Sequence, residues 1–162
     1  MKKVIFSLLT LALVTSISSS ALATEKIKET EVKPLAAIFY DREPNDTWEQ
    51  ANPYMIGGQI DGKLGRNDDS QDWYTFTPTR SGKVSLVFAY SKGYKNVFRV
   101  EVHEKWREGR KPLSRIVSTK DPGDVLQFDV EAGKKYYICV DISIINYDDG
   151  RHDYNVYTEY IN

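Results

Sequence analysis

Short segments in which apolar and polar residues alternate constrain the fold of this chain more than any other feature. In residues 97–104 (VFRVEVHE), for example, Phe98, Val100 and Val102 alternate with charged or ionisable residues. A repeat of two, enriched in β-branched and aromatic residues and interrupted by Gly, Asn or Asp, predicts β-strands with one buried face. The predicted strands are residues 59–64, 73–77, 83–90, 97–104, 125–130, 134–144 and 153–160.

The number and spacing of these segments predict an all-β fold. About seven or eight strands within roughly 120 residues favour an antiparallel β-sandwich or jelly roll. We also predict one short helix near the N-terminus, directly after Asp46. The sequence Asp46-Thr47-Trp48-Glu49 has the form of a capping box, with Asp46 as N-cap and Glu49 at the third helical position.

The N-terminus has the pattern of an export signal, so we predict a secreted, extracellular protein. Lys2 and Lys3 supply the positive charge, residues 4–17 are apolar, and residues 21–23 (ALA) are the small residues typical of a cleavage site. The apolar stretch is shorter than the about 20 residues that a membrane span needs. Residues 1–23 are thus predicted to be the signal peptide, residues 24–37 a flexible charged leader, and residues 38–162 the folded domain.

Charge and cysteine content narrow the possible partners and chemistry. The chain has 22 Lys and Arg against 23 Asp and Glu, and removal of Lys2 and Lys3 leaves 20 against 23, a net charge of −3. This balance argues against nucleic acid and against simple electrostatic binding to a membrane. Cys139 is the only cysteine, so no intramolecular disulfide can form. We expect it to be a small, half-buried strand residue, because no basic residue adjoins it.

Two acidic segments are rich in oxygen donors: residues 41–46 (DREPND) and residues 67–72 (NDDSQD). Calcium takes six to eight hard oxygen ligands in tolerant geometry, and carboxylates and amides of this kind supply them. Neither segment has the spacing of an EF-hand loop. From the residues alone, solvated turns with Asp46 capping a helix are the favoured interpretation, and a calcium site is the alternative.

Several short motifs, in this order, resemble the bacterial pre-peptidase C-terminal domain, a family that includes the collagen-binding domains of clostridial collagenases. The resemblance covers roughly residues 40–161 and is strongest in the E-x-N-D motif and in the D-W-Y motif. The matching segments are residues 43–47 (EPNDT), 51–53 (ANP), 60–64 (IDGKL), 69–76 (DSQDWYTF) and 132–140 (AGKKYYICV), together with the final strand that contains Tyr154.

The resemblance implies a compact β-sandwich of the kind found beside secreted peptidases, and it implies a calcium site. Calcium-binding members use an acidic N-terminal segment and a loop that precedes the D-Y strand. The implied role of calcium is structural: it holds the segment around residues 38–46 against the sandwich. Carried over to this sequence, the implied ligands are Asp41, Glu43, Asn45 and Asp46 from the first segment, and Asp69 and Asp72 from the second.

The residues predict that the chain is not an enzyme. The start of residues 103–107 (HEKWR) resembles a zincin motif, but Arg107 stands where the second histidine is required. No G-x-S-x-G motif is present. We expect His103 and His152 to be exposed residues of loops or strand edges. A small hydrolase that uses paired carboxylates is the weakest alternative.

The predicted function is therefore that of a secreted, non-catalytic binding module that calcium stabilises. Its expected partner is an extracellular macromolecule, such as a collagen-like polymer or a cell-wall polymer, or the cell envelope. The alternative is an accessory stabiliser or inhibitor of a secreted peptidase. If the late strands are neighbours, Tyr137 and Tyr157 form an exposed aromatic patch suited to peptides or sugars. The competing interpretation has these tyrosines covering a sheet edge or packing under loops.

Overall fold

Within the residues that the computed structural model describes, ten strands form two five-stranded sheets. The described residues are 36–65, 69–90, 97–105, 111–118, 123–144 and 152–161, and all lie in one compact unit, Pro34–Asn162. The strands are β1 (Ile38–Tyr40), β2 (Asn52–Pro53), β3 (Gln59–Leu64), β4 (Gln71–Phe76), β5 (Gly82–Tyr90), β6 (Val97–His103), β7 (Ser114–Ser118), β8 (Asp124–Val130), β9 (Tyr136–Ile144) and β10 (His152–Ile161).

The two sheets confirm the predicted all-β sandwich. The first sheet has the strand order β1-β3-β10-β5-β8, and the second has the order β2-β4-β9-β6-β7. Pairing is antiparallel except at one edge of each sheet, where β1 pairs with β3 and β2 pairs with β4 in parallel. Between residues 38 and 53 the chain therefore passes from β1, at the edge of the first sheet, to β2, at the edge of the second.

The core lies between the two sheets and follows the alternation in the sequence. In β8, Leu126, Phe128 and Val130 are buried, whereas the residues between them are exposed. Phe88 of the first sheet and Phe98 of the second meet with ring centroids 5.3 Å apart. Such contacts between apolar inner faces supply the main stabilisation of a sandwich.

The predicted helix after Asp46 is wrong. Residues 46–50 form bends and one turn, in which the Gln50 N–H donates to the Thr47 carbonyl at 3.0 Å. The reason lies just downstream, where Asn52 and Pro53 pair with β4. Proline disfavours helical conformation in the residue before it, so the few residues after Asp46 leave no room for a helix.

The signal peptide predicted at residues 1–23 and most of the predicted leader lie outside the described residues. Nothing in the described part of the chain is a helix long and apolar enough to cross a membrane.

Candidate metal centre

The first acidic segment meets the described part of the second, residues 69–72. The first follows β1, and the Asp41 N–H donates to the Asp61 carbonyl on β3 at 3.1 Å. The second segment leads into β4, where the Trp73 N–H donates to the Asn45 carbonyl at 2.9 Å. This backbone bond ties the first segment to the start of β4, so the fold itself brings the two segments together.

Five predicted carboxylates converge there in two overlapping groups. One group consists of Asp41, Glu43 and Asp72, and the other consists of Glu43, Asp46 and Asp69. Within each group, one carboxylate oxygen per residue lies within 4.8 Å of the others, and Glu43 belongs to both. The sixth predicted ligand, Asn45, lies among them, since its Nδ2 donates to Asp41 Oδ1 at 2.6 Å.

Four side-chain oxygens of this cluster are buried and accept no hydrogen bond from the described residues. They are the Oδ1 atoms of Asn45, Asp46, Asp69 and Asp72. The side chains of Asn45 and Asp72 belong to residues with 0% exposure. A buried polar atom without a partner costs about 1–3 kcal/mol, and more if it is charged. All donors in the cluster are hard oxygens, the ligand type that calcium and magnesium prefer.

Burial and mutual repulsion disfavour ionisation of the cluster. Burial, and after it the charge of Asp41, raise the pKa of Asp72 to about 9 even though a hydrogen bond from Tyr154 opposes the shift. Burial and the neighbouring carboxylates also raise the pKa of Glu43 and that of Asp69. A divalent cation among these oxygens would reverse these shifts, because it favours the ionised forms.

Two tyrosines in the core extend the cluster inward. Tyr154 of β10 contacts Asp72 Oδ2 at 2.5 Å through its Oη, and Tyr74 of β4 donates to Asp41 Oδ1 at 3.0 Å. The two Oη atoms are 2.8 Å apart. Each phenol has one proton to donate, so the contacts to Asp72 and Asp41 use both protons, and the third contact places the two hydroxyl oxygens side by side.

Sequence reasoning missed both tyrosines. The signal for Tyr74 was its position two residues after Asp72, which places both side chains on one face of β4. The role of Tyr154 depends on β10 facing β4 across the core, and no sequence pattern specifies which strands of the two sheets face each other.

The predicted aromatic patch of Tyr137 and Tyr157 is wrong, because the two residues lie on different sheets. Tyr137 belongs to β9 in the second sheet, whereas β10, which carries Tyr157, lies between β3 and β5. Tyr137 is only 8% exposed and packs with Trp73 and Cys139. Tyr157 points away from the core and its Oη donates to Glu159 at 3.4 Å.

The predicted exposure of the two histidines is also wrong. His103 and His152 are 2% and 1% exposed. His103 Nε2 lies 3.0 Å from Glu101 Oε2, and burial lowers the pKa of His103. Cys139 is 5% exposed and so more deeply buried than expected. Burial, and then Asp141, raise the pKa of Cys139 well above its usual value, which disfavours the reactive thiolate.

Comparison with solved structures confirms the resemblance at the level of the fold. The pre-peptidase C-terminal domain of a collagenase from Bacillus anthracis is similar with a TM-score of 0.52, at 19% sequence identity, over 74% of this chain and 100% of that domain. PliG of Aeromonas hydrophila, a periplasmic inhibitor of g-type lysozyme, gives a TM-score of 0.47 at 14% identity, over 78% of this chain and 100% of that one. No protein-family profile and no curated protein sequence matches the chain.

Proposed function

We propose that this chain is an exported, non-catalytic binding module whose β-sandwich is stabilised by calcium. The proposed calcium ligands are the side chains of Asp41, Glu43, Asn45, Asp46, Asp69 and Asp72. The partner belongs to the class of extracellular macromolecules or to the cell envelope.

The observation that carries the calcium site is the set of four buried side-chain oxygens without hydrogen-bond partners in the described part of the chain. In Asn45 the amide nitrogen is occupied by Asp41, which leaves its oxygen for a cation. Ionised carboxylates that lie close together repel one another. A divalent cation between them offsets this repulsion, because each carboxylate is attracted to the ion. Five of the six ligands come from loop segments and Asp72 comes from the start of β4, and such a set suits calcium, which tolerates flexible geometry, better than magnesium.

Calcium would contribute mainly to stability. Its binding would ionise Asp72 and join the segment after β1 to the start of β4. If the dissociation constant is a hundredfold below the free calcium concentration, binding to the folded state adds about 2.7 kcal/mol to the free energy of unfolding. Domains of this size are stable by only about 5–15 kcal/mol, so the ion would supply a large share.

The burial of Cys139 and His103 favours a binding role over a catalytic one. Cys139 is buried with a raised thiol pKa, and His103 is buried against Glu101. Neither is within reach of solvent as a nucleophile or general base needs to be. Export is supported by the pattern of residues 1–23.

Calorimetric titration of the protein with calcium chloride tests the site. We expect one or two ions per chain, depending on whether both groups that share Glu43 are filled. Absence of any binding heat, together with an unchanged melting temperature, would refute calcium as a ligand. A binding screen against collagen, peptidoglycan and secreted proteins, with and without calcium, tests the binding role.

A further inference from the structure

The outer edge of β1 offers backbone groups for hydrogen bonding. β1 is the last strand of the first sheet and pairs only with β3 among the described residues. The Gln59 N–H donates to the Ala37 carbonyl at 2.8 Å, and the Asp41 N–H donates to Asp61. Since residues that bond one neighbour alternate along a parallel strand, Ile38 and Tyr40 direct their N–H and C=O groups to the open edge.

A groove lies beside this edge. Its cavity of about 240 Å³ is lined by Ile38, Phe39, Tyr40, Arg42, Asn52 and Pro53. Ile38 is 50% exposed and Tyr40 is 64% exposed, so the two side chains give the groove an apolar surface that solvent reaches. Asn52 Nδ2 donates to the Arg42 carbonyl at 2.9 Å, which joins β2 to the segment after β1 among the residues that line the groove.

Arg42 is the one charged residue among the six that line the groove. Arg42 is exposed, and it forms no ion pair with any carboxylate of the described residues. A guanidinium at the end of an apolar groove is complementary to a carboxylate that is flanked by apolar residues. Open backbone groups, apolar lining and a cation are the elements that recognise an extended peptide by strand addition.

We propose that this groove binds an extended acidic peptide segment of a partner protein, which adds as a strand to β1 and pairs a Glu or Asp side chain with Arg42. The backbone groups of Ile38 and Tyr40 bond the peptide main chain. The exposed side chains of the same two residues contact its apolar side chains, and Arg42 selects the acidic residue. This deepens the proposed binding role by naming a surface and the chemistry of its partner.

The groove and the metal centre are connected through the chain. Arg42 lies between Asp41 and Glu43, two of the proposed calcium ligands. An ion that fixes those two residues also fixes the backbone that carries Arg42, so calcium is expected to raise the affinity for the peptide. This coupling, unlike the groove itself, rests on the proposed calcium site.

The test uses the acetylated and amidated peptide Thr-Val-Glu-Val-Thr as the probe, with Thr-Val-Lys-Val-Thr as its charge-reversed control. We expect binding of the first peptide and at least tenfold weaker binding of the second. The substitution Arg42→Glu should reverse this preference. Lys63→Glu, which reverses an exposed cation on the adjacent strand β3, should leave the preference unchanged.

Strand addition has two further signatures. N-methylation of alternate peptide residues should block binding in one register and be tolerated in the other, because only every second N–H faces β1. On binding, hydrogen exchange should slow at the amides of Ile38 and Tyr40, whereas the Phe39 amide, already bonded to β3, should change little. Equal binding of both peptides, or N-methylation effects that do not alternate, would overturn the proposal.

Two outcomes separate this inference from the calcium site. If the peptide binds and calcium gives no binding heat, the proposed peptide groove stands and the proposed calcium site is refuted. If calcium binds and the peptide does not, the proposed calcium site stands and the proposed peptide groove is refuted. Self-association through β1, detected as a dimer by analytical ultracentrifugation and abolished by Arg42→Glu, would also refute a foreign peptide as the occupant.

Discussion

The ring of Tyr154 lies directly over Gly62, its register partner on the neighbouring strand β3. A β-carbon at position 62 would lie 2.3 Å from Tyr154 Cζ and 2.5 Å from its Oη. Only glycine leaves room for the ring at this point of the sheet. The open space allows the phenol of Tyr154 to reach Asp72 across the core, so a residue that is not itself a proposed ligand sets the inner boundary of the candidate site.

Substitution Gly62→Ala is expected to destabilise the protein by about 1–3 kcal/mol, because the ring of Tyr154 must move in a closely packed core. Movement of Tyr154 also removes its contact with Asp72, so calcium affinity should fall. Urea unfolding and calorimetric titration measure the two effects. Lys63→Ala, at the exposed neighbouring position, is the control and should change stability by no more than about 0.5 kcal/mol. Equal stability of the two variants would contradict the packing argument.

Substitution Asp72→Asn is expected to remove most of the stabilisation by calcium and to affect the ion-free protein little. At neutral pH the raised pKa of Asp72 keeps its carboxyl protonated in the absence of an ion, and the amide is a close neutral replacement. The melting temperature with and without calcium measures this. Asp129→Asn changes an exposed carboxylate 3.6 Å from Lys83 and should leave the calcium response intact. A full calcium response in Asp72→Asn would exclude Asp72 as a ligand.

In calcium-free buffer, stability is expected to decrease as the pH rises from 5 to 8. Folded Asp72, with its pKa raised to about 9, retains its proton in this range, whereas the unfolded carboxyl loses it. Raising the pH therefore favours the unfolded state, by at most about 1.4 kcal/mol per pH unit from this group. Urea unfolding at several pH values measures the slope. Saturating calcium or Asp72→Asn should flatten it, and a slope identical in all three cases would contradict the assignment.

Cys139 is expected to react with a thiol reagent only slowly in the folded protein and rapidly in denaturant. Its side chain is 5% exposed, and burial raises its pKa. The rate of reaction with a chromogenic disulfide measures accessibility. Because the thiol becomes accessible through opening of the fold, calcium should slow the reaction further. Rapid native labelling would show that the surface over Trp73 and Cys139 is open to solvent.

The long strands were predictable from sequence because one face of each meets the core. The alternation in residues 83–90 and 153–160 predicts β5 and β10 to within about two residues. The short strands β1, β2 and β7 were not predicted. Each lies at an edge, where half of the backbone groups and one or both faces are exposed, so the sequence pattern is weak.

The acidic ligands could be proposed from sequence because both segments are rich in carboxylates. The order of the strands in each sheet could not be predicted from the sequence. Tyr137 and Tyr157 belong to consecutive strands but to different sheets, so the expected patch fails. His103 is buried because Glu101 and Trp73 surround it on the outer face of the second sheet, a contact that alternation alone does not reveal.

Thermal unfolding with and without calcium tests the central claim most directly. The two acidic segments contain buried side-chain oxygens that have no hydrogen-bond partner among the described residues. Because only the folded state brings these oxygens together, a cation would bind that state alone. We predict that saturating calcium raises the melting temperature by roughly 10 °C, that chelation reverses the rise, and that magnesium has a smaller effect. A melting temperature that is the same in calcium and in chelator would contradict the account.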